Sequence, residues 1–298
     1  MYFSELVDYL VDNNINHNFN AKTADLVSMQ VGGTAKLVVF PKETLQLIEI
    51  FKILDNNKFI LIGNGTNCYF TDNYLDCPII STKYINRTSV FENTINAECG
   101  CSVNSVCKIA LNNNLSGLEF AYGIPGSIGG AVYMNASAFG GMFSNVVINS
   151  MVYDKERKSV YTITKDSHAF SHKSSIFQSR DLYVLNTTMQ LKACNNDLIK
   201  QKMREYLKKR ISTQPLDMPN AGSVFIKPKE AFASLLIDKL GLKGYSIGGA
   251  QISTKHAGFI VNTGNASAND INALVLYIKS KVKKEYNIDL KEEIILLN

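Results

Sequence analysis

Apolar side chains near the start of the chain recur every three or four residues, which predicts an amphipathic helix over residues 3–11. A second stretch with the same period follows at 44–54, before the pattern changes abruptly to a short apolar run. Helical spacing returns later in the chain and predicts further helices at 103–111, 197–210, 232–240 and 271–282. The last of these is preceded by a capping-box pattern, Ser267 with Asp270 three residues on.

Short apolar or alternating runs predict strands between these helices. Phe59–Ile62 is followed at once by Gly63–Asn67, which indicates a buried strand that ends in a tight turn. Leu26–Pro41 predicts strand segments around its glycines. Strand signals also dominate from Ile79 to Lys192, where a glycine-rich segment from Gly123 to Gly141 interrupts them. Further strands are predicted at Tyr183–Leu191, Gly258–Asn262 and Ile294–Leu297.

This arrangement of elements favours an α+β fold with more than one packed core. At 298 residues the chain is long enough for that, since single hydrophobic cores stop growing at roughly 250 to 300 residues. We expect three lobes, at residues 1–78, 79–193 and 194–298. The third begins after an alternating strand gives way to a charged helix.

Composition narrows the class of protein. Apolar residues make up 46% and charged residues 19%, as in ordinary globular domains. The net charge of +5 comes from scattered basic residues, which favours anionic small molecules over nucleic acid as partners. No apolar run approaches the roughly 20 residues of a membrane span. We therefore expect neither a nucleic-acid nor a membrane partner.

The cysteines indicate a reducing compartment, and we expect a cytoplasmic protein. None of them forms a CxxC pair, and no signal peptide precedes them. Zinc binding by Cys99 and Cys101 with a distant histidine is one alternative, but small buried hydrophobic residues are the favoured interpretation, so no metal is expected. The six cysteines are Cys68, Cys77, Cys99, Cys101, Cys107 and Cys194.

The stretch Gly123–Ala136, GIPGSIGGAVYMNA, is the most informative in the chain. Glycines at this density let a backbone approach an anion and present successive amides to it, as for the pyrophosphate of a dinucleotide. A purely structural loop is the alternative, and the spacing is not the GxGxxG of a Rossmann fold.

This stretch closely resembles the FAD-binding signature GIPGxxGGAxxMNAG of UDP-N-acetylenolpyruvoylglucosamine reductases, in the vanillyl-alcohol-oxidase-like superfamily. Further elements in the same order support the resemblance, and the length and the AGSVF variant are typical of the shorter class that lacks a tyrosine loop. These elements are Val31–Ala35 (GGxA), Gly63–Asn67 (GxGSN, with Thr66 for Ser), Arg210–Pro215 (RxxxQP) and Ala221–Phe225 (AGSVF).

The resemblance implies a two-lobed FAD-binding domain of the PCMH type and a C-terminal α+β substrate domain. It implies non-covalent FAD, NADPH as co-substrate, and reduction of UDP-N-acetylglucosamine enolpyruvate to UDP-N-acetylmuramate for peptidoglycan synthesis, by a protein we expect to be monomeric. The implied FAD-binding residues are Gly63, Asn64, Gly65, Thr66, Asn67, Gly123, Ile124, Pro125, Gly126, Ser127, Gly129, Gly130, Asn135 and Ala136.

Reduction of an enolpyruvyl ether needs a proton donor at carbon and a cation or hydrogen-bond donor for the developing negative charge. Ser223 matches the family's proton-donating serine, although a turn hydroxyl is the alternative without that match. Glu293 matches the family's C-terminal glutamate. Its neighbour Glu292 is the alternative, as is a solvated carboxylate at a strand edge.

The family carries a Tyr-Arg pair whose arginine steadies the substrate carboxylate, whereas this chain has His172 and Lys173. Lys173 keeps the charge but loses the planar fork of a guanidinium. Lys227 and His256 match positions that resemble substrate contacts, and the roles of Arg210 and Gln214 stay open. Two other hypotheses remain: a flavin oxidase on the same scaffold, and a non-catalytic FAD-binding homologue.

Overall fold

The computed structural model describes residues 2–229 and 231–298. The chain divides into two compact units, and neither is a single stretch of sequence. Unit 1 contains Leu37–Asn64, Cys77–Lys208 and the described part of Met1–Asn18. Unit 2 contains Phe19–Lys36, Gly65–Asp76 and Lys209–Asn298. The predicted division into three lobes was based on the sequence pattern, and it stays a prediction.

The helices and strands of the described residues are numbered in chain order. The α-helices are α1 (Tyr2–Asp12), α2 (Thr44–Leu54), α3 (Val103–Asn112), α4 (Ile128–Tyr133), α5 (Asn196–Thr213), α6 (Ala233–Lys239) and α7 (Ala268–Tyr286). The strands are β1 (Asn16–Lys22), β2 (Thr34–Phe40), β3 (Ile60–Ile62), β4 (Cys68–Phe70), β5 (Ile79–Ser81), β6 (Thr88–Phe91), β7 (Thr94–Glu98), β8 (Leu115–Ser116), β9 (Ser137–Ala138), β10 (Gly141–Met142), β11 (Val147–Asp154), β12 (Ser159–Thr164), β13 (Leu182–Gln190), β14 (Lys192–Ala193), β15 (Asn220–Ser223), β16 (Ser246–Ile247), β17 (Ala250–Ile252), β18 (Phe259–Asn262) and β19 (Ile295–Leu297).

Unit 1 combines a parallel and an antiparallel sheet. Within it β5 pairs in parallel with both β2 and β3, and the apolar residues of these short strands are largely buried, as expected of parallel strands. Five antiparallel strands follow in the order β12-β11-β13-β7-β6. Phe51 of α2 stacks on Tyr183 of β13 with ring centroids 4.8 Å apart, which anchors this helix in the core.

Unit 2 has its own hydrophobic core. Its main sheet is antiparallel in the order β15-β18-β17-β16, and β4 pairs in parallel with the terminal strand β19. Helix α7 begins with the predicted capping box, in which Ser267 Oγ accepts from the Asp270 amide at 3.0 Å and Asp270 accepts in return.

Most predicted helices and strands are confirmed to within a few residues, and helices and strands together give the α+β fold. The strand prediction for Leu26–Pro41 holds only from Thr34 onward. Before Thr34 this segment forms no regular strand. The Gly33 carbonyl accepts from the Thr23 amide there, and the Gly33 amide donates to the Thr71 carbonyl. The short helix α4, inside the glycine-rich segment, was not predicted.

Candidate functional site

Two turns of unit 1 meet at Gly63 and Ser127. A Cβ on Gly63 would overlap Ser127 Oγ, so any other residue at position 63 would force Ser127 to shift. Asn64 Nδ2 donates to the Pro125 carbonyl at 3.1 Å and ties the first turn to the second. Ser127 is also the N-cap of α4, where its Oγ accepts from the Gly130 amide at 3.3 Å. The predicted FAD-binding residues 63–64 and 125–130 are therefore brought together locally.

The amides of Gly63, Asn64, Gly126 and Ser127 have no acceptor in the described part of the chain. Backbone amides are strong donors that folded proteins almost always satisfy, if not internally then with solvent or a ligand. Phosphate oxygens are suitable acceptors for such a group of amides. The donor set at these turns therefore fits a cofactor that carries a pyrophosphate.

Other amides of the glycine-rich segment already have partners. Gly123 donates to Asn104 Oδ1 at 2.6 Å, and Gly129 donates to the Cys99 carbonyl at 2.8 Å. Ile124 and Ala136 donate to carbonyls within or beside the segment itself. These residues shape the loop through their backbone, and their amides are not available to an anion.

Gly65, Thr66 and Asn67 continue the first turn as part of unit 2. Gly65 has a φ of +61°, and a Cβ there would overlap the Leu26 carbonyl, so glycine is required. The amides of these three residues also lack an acceptor among residues 2–229 and 231–298. Asn67 Nδ2 donates to the Glu293 carbonyl at 2.9 Å, so its side chain already has a partner.

Both polar atoms of the Asn135 side chain form hydrogen bonds within unit 1. Its Oδ1 accepts from the Ser144 amide at 2.9 Å and its Nδ2 donates to the Ser171 carbonyl at 2.8 Å. The residue is 2% exposed and has a left-handed φ of +43°, which asparagine tolerates better than most residues. Asn135 therefore joins the glycine-rich segment to the turn that carries Lys173.

Lys173 lies at a tight turn between Ser171 and Ser174, whose amides and carbonyls bond to each other at 3.0 and 3.3 Å. It is half-buried and has a left-handed φ of +58°. Ser175, two residues on, donates from Oγ to the Tyr133 carbonyl at 2.7 Å. The turn is thus tied to the last residue of α4.

Ser223 is the last residue of β15 in unit 2. The strand is irregular just before it, because Gly222 has a φ of +79° and the register with β18 shifts between Asn220 and Ser223. Ser223 then pairs with Phe259. Its Oγ has no hydrogen-bond partner among the described residues, so the hydroxyl is available to a ligand.

The two neighbouring glutamates of unit 2 differ in their surroundings. The Glu293 amide donates to the Val224 carbonyl at 2.8 Å, which places Glu293 beside the residue that follows Ser223. Glu292 forms a bridge with Phe225, and its carboxylate lies 2.7 Å from Lys279 Nζ. Glu292 takes part in an ion pair, whereas the Glu293 backbone adjoins Val224, and the choice of Glu293 over Glu292 as the catalytic residue stays a prediction.

His256 is held as a neutral ring. Its Nδ1 accepts from the Gly258 amide at 3.1 Å, so the proton of the neutral imidazole is on Nε2. Burial lowers the pKa of His256, and the charge of Lys243 lowers it further. Lys227 is exposed, with Nζ 4.2 Å from the centroid of the Phe232 ring. His256 can therefore donate one hydrogen bond from Nε2 without carrying charge.

Arg210 and Gln214, whose roles the sequence left open, bond to each other across one turn at the end of α5. Arg210 Nη1 donates to Gln214 Oε1 at 3.2 Å, the arginine is 7% exposed, and burial lowers its pKa.

No cluster of possible metal ligands occurs among the described residues. Burial raises the pKa of the Cys99 thiol to about 12, as expected of a buried apolar side chain. No helix among these residues is long and apolar enough to span a membrane.

The amides without an acceptor fit a dinucleotide cofactor, and the comparison with known families identifies the protein as a flavoprotein. A family model described as an FAD binding domain matches residues 35–156, and a model described as the C-terminal domain of UDP-N-acetylenolpyruvoylglucosamine reductase matches residues 214–297. The cofactor is FAD. The FAD-binding domain and the C-terminal domain that the sequence predicted are confirmed.

Curated relatives agree over almost the whole chain. Proteins named UDP-N-acetylenolpyruvoylglucosamine reductase from Pseudothermotoga lettingae and Fervidobacterium nodosum are 44% and 41% identical, covering 90% and 92% of this chain and 93% and 90% of their own. The crystal structure of the enzyme of this name from Thermus caldophilus matches with a TM-score of 0.80 at 26% identity, over 95% of this chain and 99% of its own. The chain belongs to the UDP-N-acetylenolpyruvoylglucosamine reductase family and is an oxidoreductase.

Proposed function

We propose that this chain is a UDP-N-acetylmuramate dehydrogenase, which reduces UDP-N-acetylglucosamine enolpyruvate to UDP-N-acetylmuramate with NADPH as the reductant. Family membership at 41% to 44% identity supports this substrate and reaction. The observation that carries the cofactor part is the group of amides at Gly63, Asn64, Gly126 and Ser127 without an acceptor in the described chain. We further propose that the enzyme acts in the cytoplasm, where its six free cysteines would stay reduced.

The two turns of unit 1 would hold the pyrophosphate of FAD through these amides. Gly63 lets the two turns approach, because a side chain at this position would displace Ser127. Bound FAD supplies the hydride for the enolpyruvyl double bond. The protein residues bind the cofactor, hold the substrate and manage the proton and the developing charge.

Ser223 would donate the proton to the inner carbon of the enolpyruvyl group. Its hydroxyl has no partner among the described residues, so the donor is not committed elsewhere. Glu293, on the neighbouring stretch of backbone, would donate a hydrogen bond in its neutral form to the developing negative charge. Lys173 would meet the substrate carboxylate as a point charge. His256 would add a neutral donor from Nε2, and Lys227 a positive charge.

The test is the purified protein with and without its proposed substrate. We expect a yellow protein whose flavin is released intact by heat or acid, and NADPH oxidation that depends on UDP-N-acetylglucosamine enolpyruvate. A protein that cannot be loaded with FAD would overturn the cofactor assignment. Rapid reaction of the reduced enzyme with oxygen, without response to the enolpyruvyl nucleotide, would identify a flavin oxidase instead. Flavin binding with no turnover at all would identify a non-catalytic homologue.

A further inference from the structure

The peptide groups on both sides of the Lys173 turn are held by side-chain amides. Gln178 Nε2 lies 3.0 Å from the Lys173 carbonyl, and Asn135 Nδ2 lies 2.8 Å from the Ser171 carbonyl. The same Gln178 nitrogen lies 3.0 Å from the carbonyl of Tyr133, the last residue of α4. Gln178 therefore connects the Lys173 turn directly to the end of helix α4, which lies within the glycine-rich segment.

Only an amide or a cationic side chain can make this connection. The NH₂ group of glutamine carries two N–H donors, and the two carbonyls of Lys173 and Tyr133 can each take one. A glutamate or a methionine at position 178 has similar size and no such donors. The requirement is chemical and not only steric.

The Lys173 backbone needs external support. Its φ of +58° is unfavourable for a residue with a Cβ and persists only where the surrounding structure fixes it. The side chain is a flexible stem that ends in a compact charge, and the turn fixes the point and direction from which that stem starts. Loss of the Gln178 donors would let the turn relax.

We propose that Gln178 is a positioning residue, which acts through Lys173 by fixing the turn from which the ammonium group reaches the substrate carboxylate. This proposal rests on the proposed role of Lys173. It concerns a residue that belongs to none of the matched sequence motifs. Gln178 itself need not touch the substrate.

The experiment compares Gln178→Glu and Gln178→Met in the full-length, FAD-loaded protein. Rapid mixing separates reduction of the flavin by NADPH from its reoxidation by the enolpyruvyl nucleotide. Calorimetry measures the Kd for UDP-N-acetylmuramate, whose carboxylate Lys173 would also meet. We expect both variants to reduce normally, to reoxidise about 10- to 100-fold more slowly and to bind the product more weakly, since small misplacements of a catalytic group have effects of this size.

Gln190 provides a matched control in the same unit. Its Nε2 also bridges two carbonyls, those of Asn93 and Leu191, at the end of β13. Gln190→Met removes the same kind of bonds without touching the Lys173 turn, and we expect reoxidation at the wild-type rate. In a Lys173→Ala background the Gln178 changes should add no further slowing, because the two residues act through one group.

The results separate this proposal from the proposed function. Gln178 variants that reoxidise at the wild-type rate, or slow both half-reactions equally, would overturn the positioning role. A further slowing in the Lys173→Ala background would overturn it too. Unchanged reoxidation in Lys173→Ala itself would instead remove Lys173 from the site and overturn that part of the proposed function.

Discussion

The carboxylate of Glu292 lies 2.7 Å from Nζ of Lys279 on α7. Its neighbour Glu293 instead bonds through its backbone amide to Val224, the residue after Ser223. Two adjacent glutamates thus have different surroundings. A sequence alignment that slips by one residue would exchange their roles, and matched variants of the two glutamates distinguish them.

Glu293→Ala should slow reoxidation of the flavin by the enolpyruvyl nucleotide by about 100-fold, because it removes the proposed hydrogen-bond donor to the developing charge. Glu292→Ala removes one partner of a partly exposed ion pair and should leave that rate within about threefold, since such pairs contribute little. Rapid-mixing kinetics of both variants check this. The reverse order of the two effects would assign the catalytic role to Glu292.

Ser223→Ala should leave reduction of the flavin by NADPH largely unchanged, because that step needs no proton at carbon. Reoxidation by the enolpyruvyl nucleotide should slow by about 100- to 10,000-fold, the usual effect of losing a positioned general acid. Ser223 Oγ makes no bond to any described residue, so the change removes no side-chain hydrogen bond from unit 2. Equal slowing of both half-reactions would indicate a defect of folding or flavin binding instead.

Gly63→Ala should weaken FAD binding. The new methyl group would overlap Ser127 Oγ and displace it, and overpacking of this kind costs about 1 to 3 kcal/mol. Because the displaced turn carries the amides proposed for the pyrophosphate, we expect the Kd for FAD to rise by about 5- to 150-fold, the factor that corresponds to this cost. Gly63 does not have a positive φ, so space and not backbone strain is the cause. Titration of the apoprotein with FAD measures the effect. Adding Ser127→Gly to the variant removes the clash and should restore part of the affinity, and failure to do so would contradict this explanation.

The sequence predicted the helices well because apolar residues repeat at helical spacing, as in α1, α2 and α3. It did not predict α4, since two of its six residues are glycines with poor helix propensity and the N-cap Ser127 lies inside a glycine-rich stretch. Chain order also gave no sign that unit 2 takes Phe19–Lys36 and Gly65–Asp76 from the N-terminal part.

The motif at Gly123–Ala136 correctly indicated FAD through its resemblance to the family signature, whereas the glycine spacing alone left a structural loop open. The motif could not say which amides remain available, since the acceptors for Gly123 and Gly129 come from Asn104 and Cys99, outside it. Gln178 was missed for the same reason. Its proposed role depends on hydrogen bonds to the backbone carbonyls of Tyr133 and Lys173, and a backbone carbonyl leaves no mark in the sequence.

The stability of the protein should fall as the pH drops below about 6.5, in part through His168. The ring is fully buried, with Nδ1 donating to the Thr164 carbonyl and Nε2 accepting from Ser150 Oγ, both at 2.9 Å. Burial lowers the pKa of His168, so on acidification the unfolded chain takes up a proton before the folded one does. The contribution of His168 to stability is therefore fully present above the unfolded pKa and is lost as the pH falls towards the folded pKa.

His168→Gln should reduce this pH dependence by at most about 1.4 kcal/mol per pH unit, the limit for one proton. Urea unfolding of both proteins between about pH 7 and pH 5 measures the difference in slope. The variant is expected to be less stable at every pH because it loses hydrogen bonds, so the slope and not the absolute stability is the criterion. Identical slopes would show that His168 does not titrate differently on folding.

Lys173→Ala should damage reoxidation by the enolpyruvyl nucleotide by about 100-fold while leaving FAD binding and reduction by NADPH intact, because the lost charge would act only on the substrate carboxylate. Lys173→Arg should retain activity and raise the reoxidation rate, since a guanidinium can hold both carboxylate oxygens where an ammonium holds one. The arginine would enter the same left-handed turn, which Gln178 and the bonds between Ser171 and Ser174 maintain. Rapid mixing of each variant with NADPH, and then with the nucleotide, measures the two steps separately. If both variants reoxidise at the wild-type rate, Lys173 is a solvated loop charge and the cation at the substrate comes from another residue.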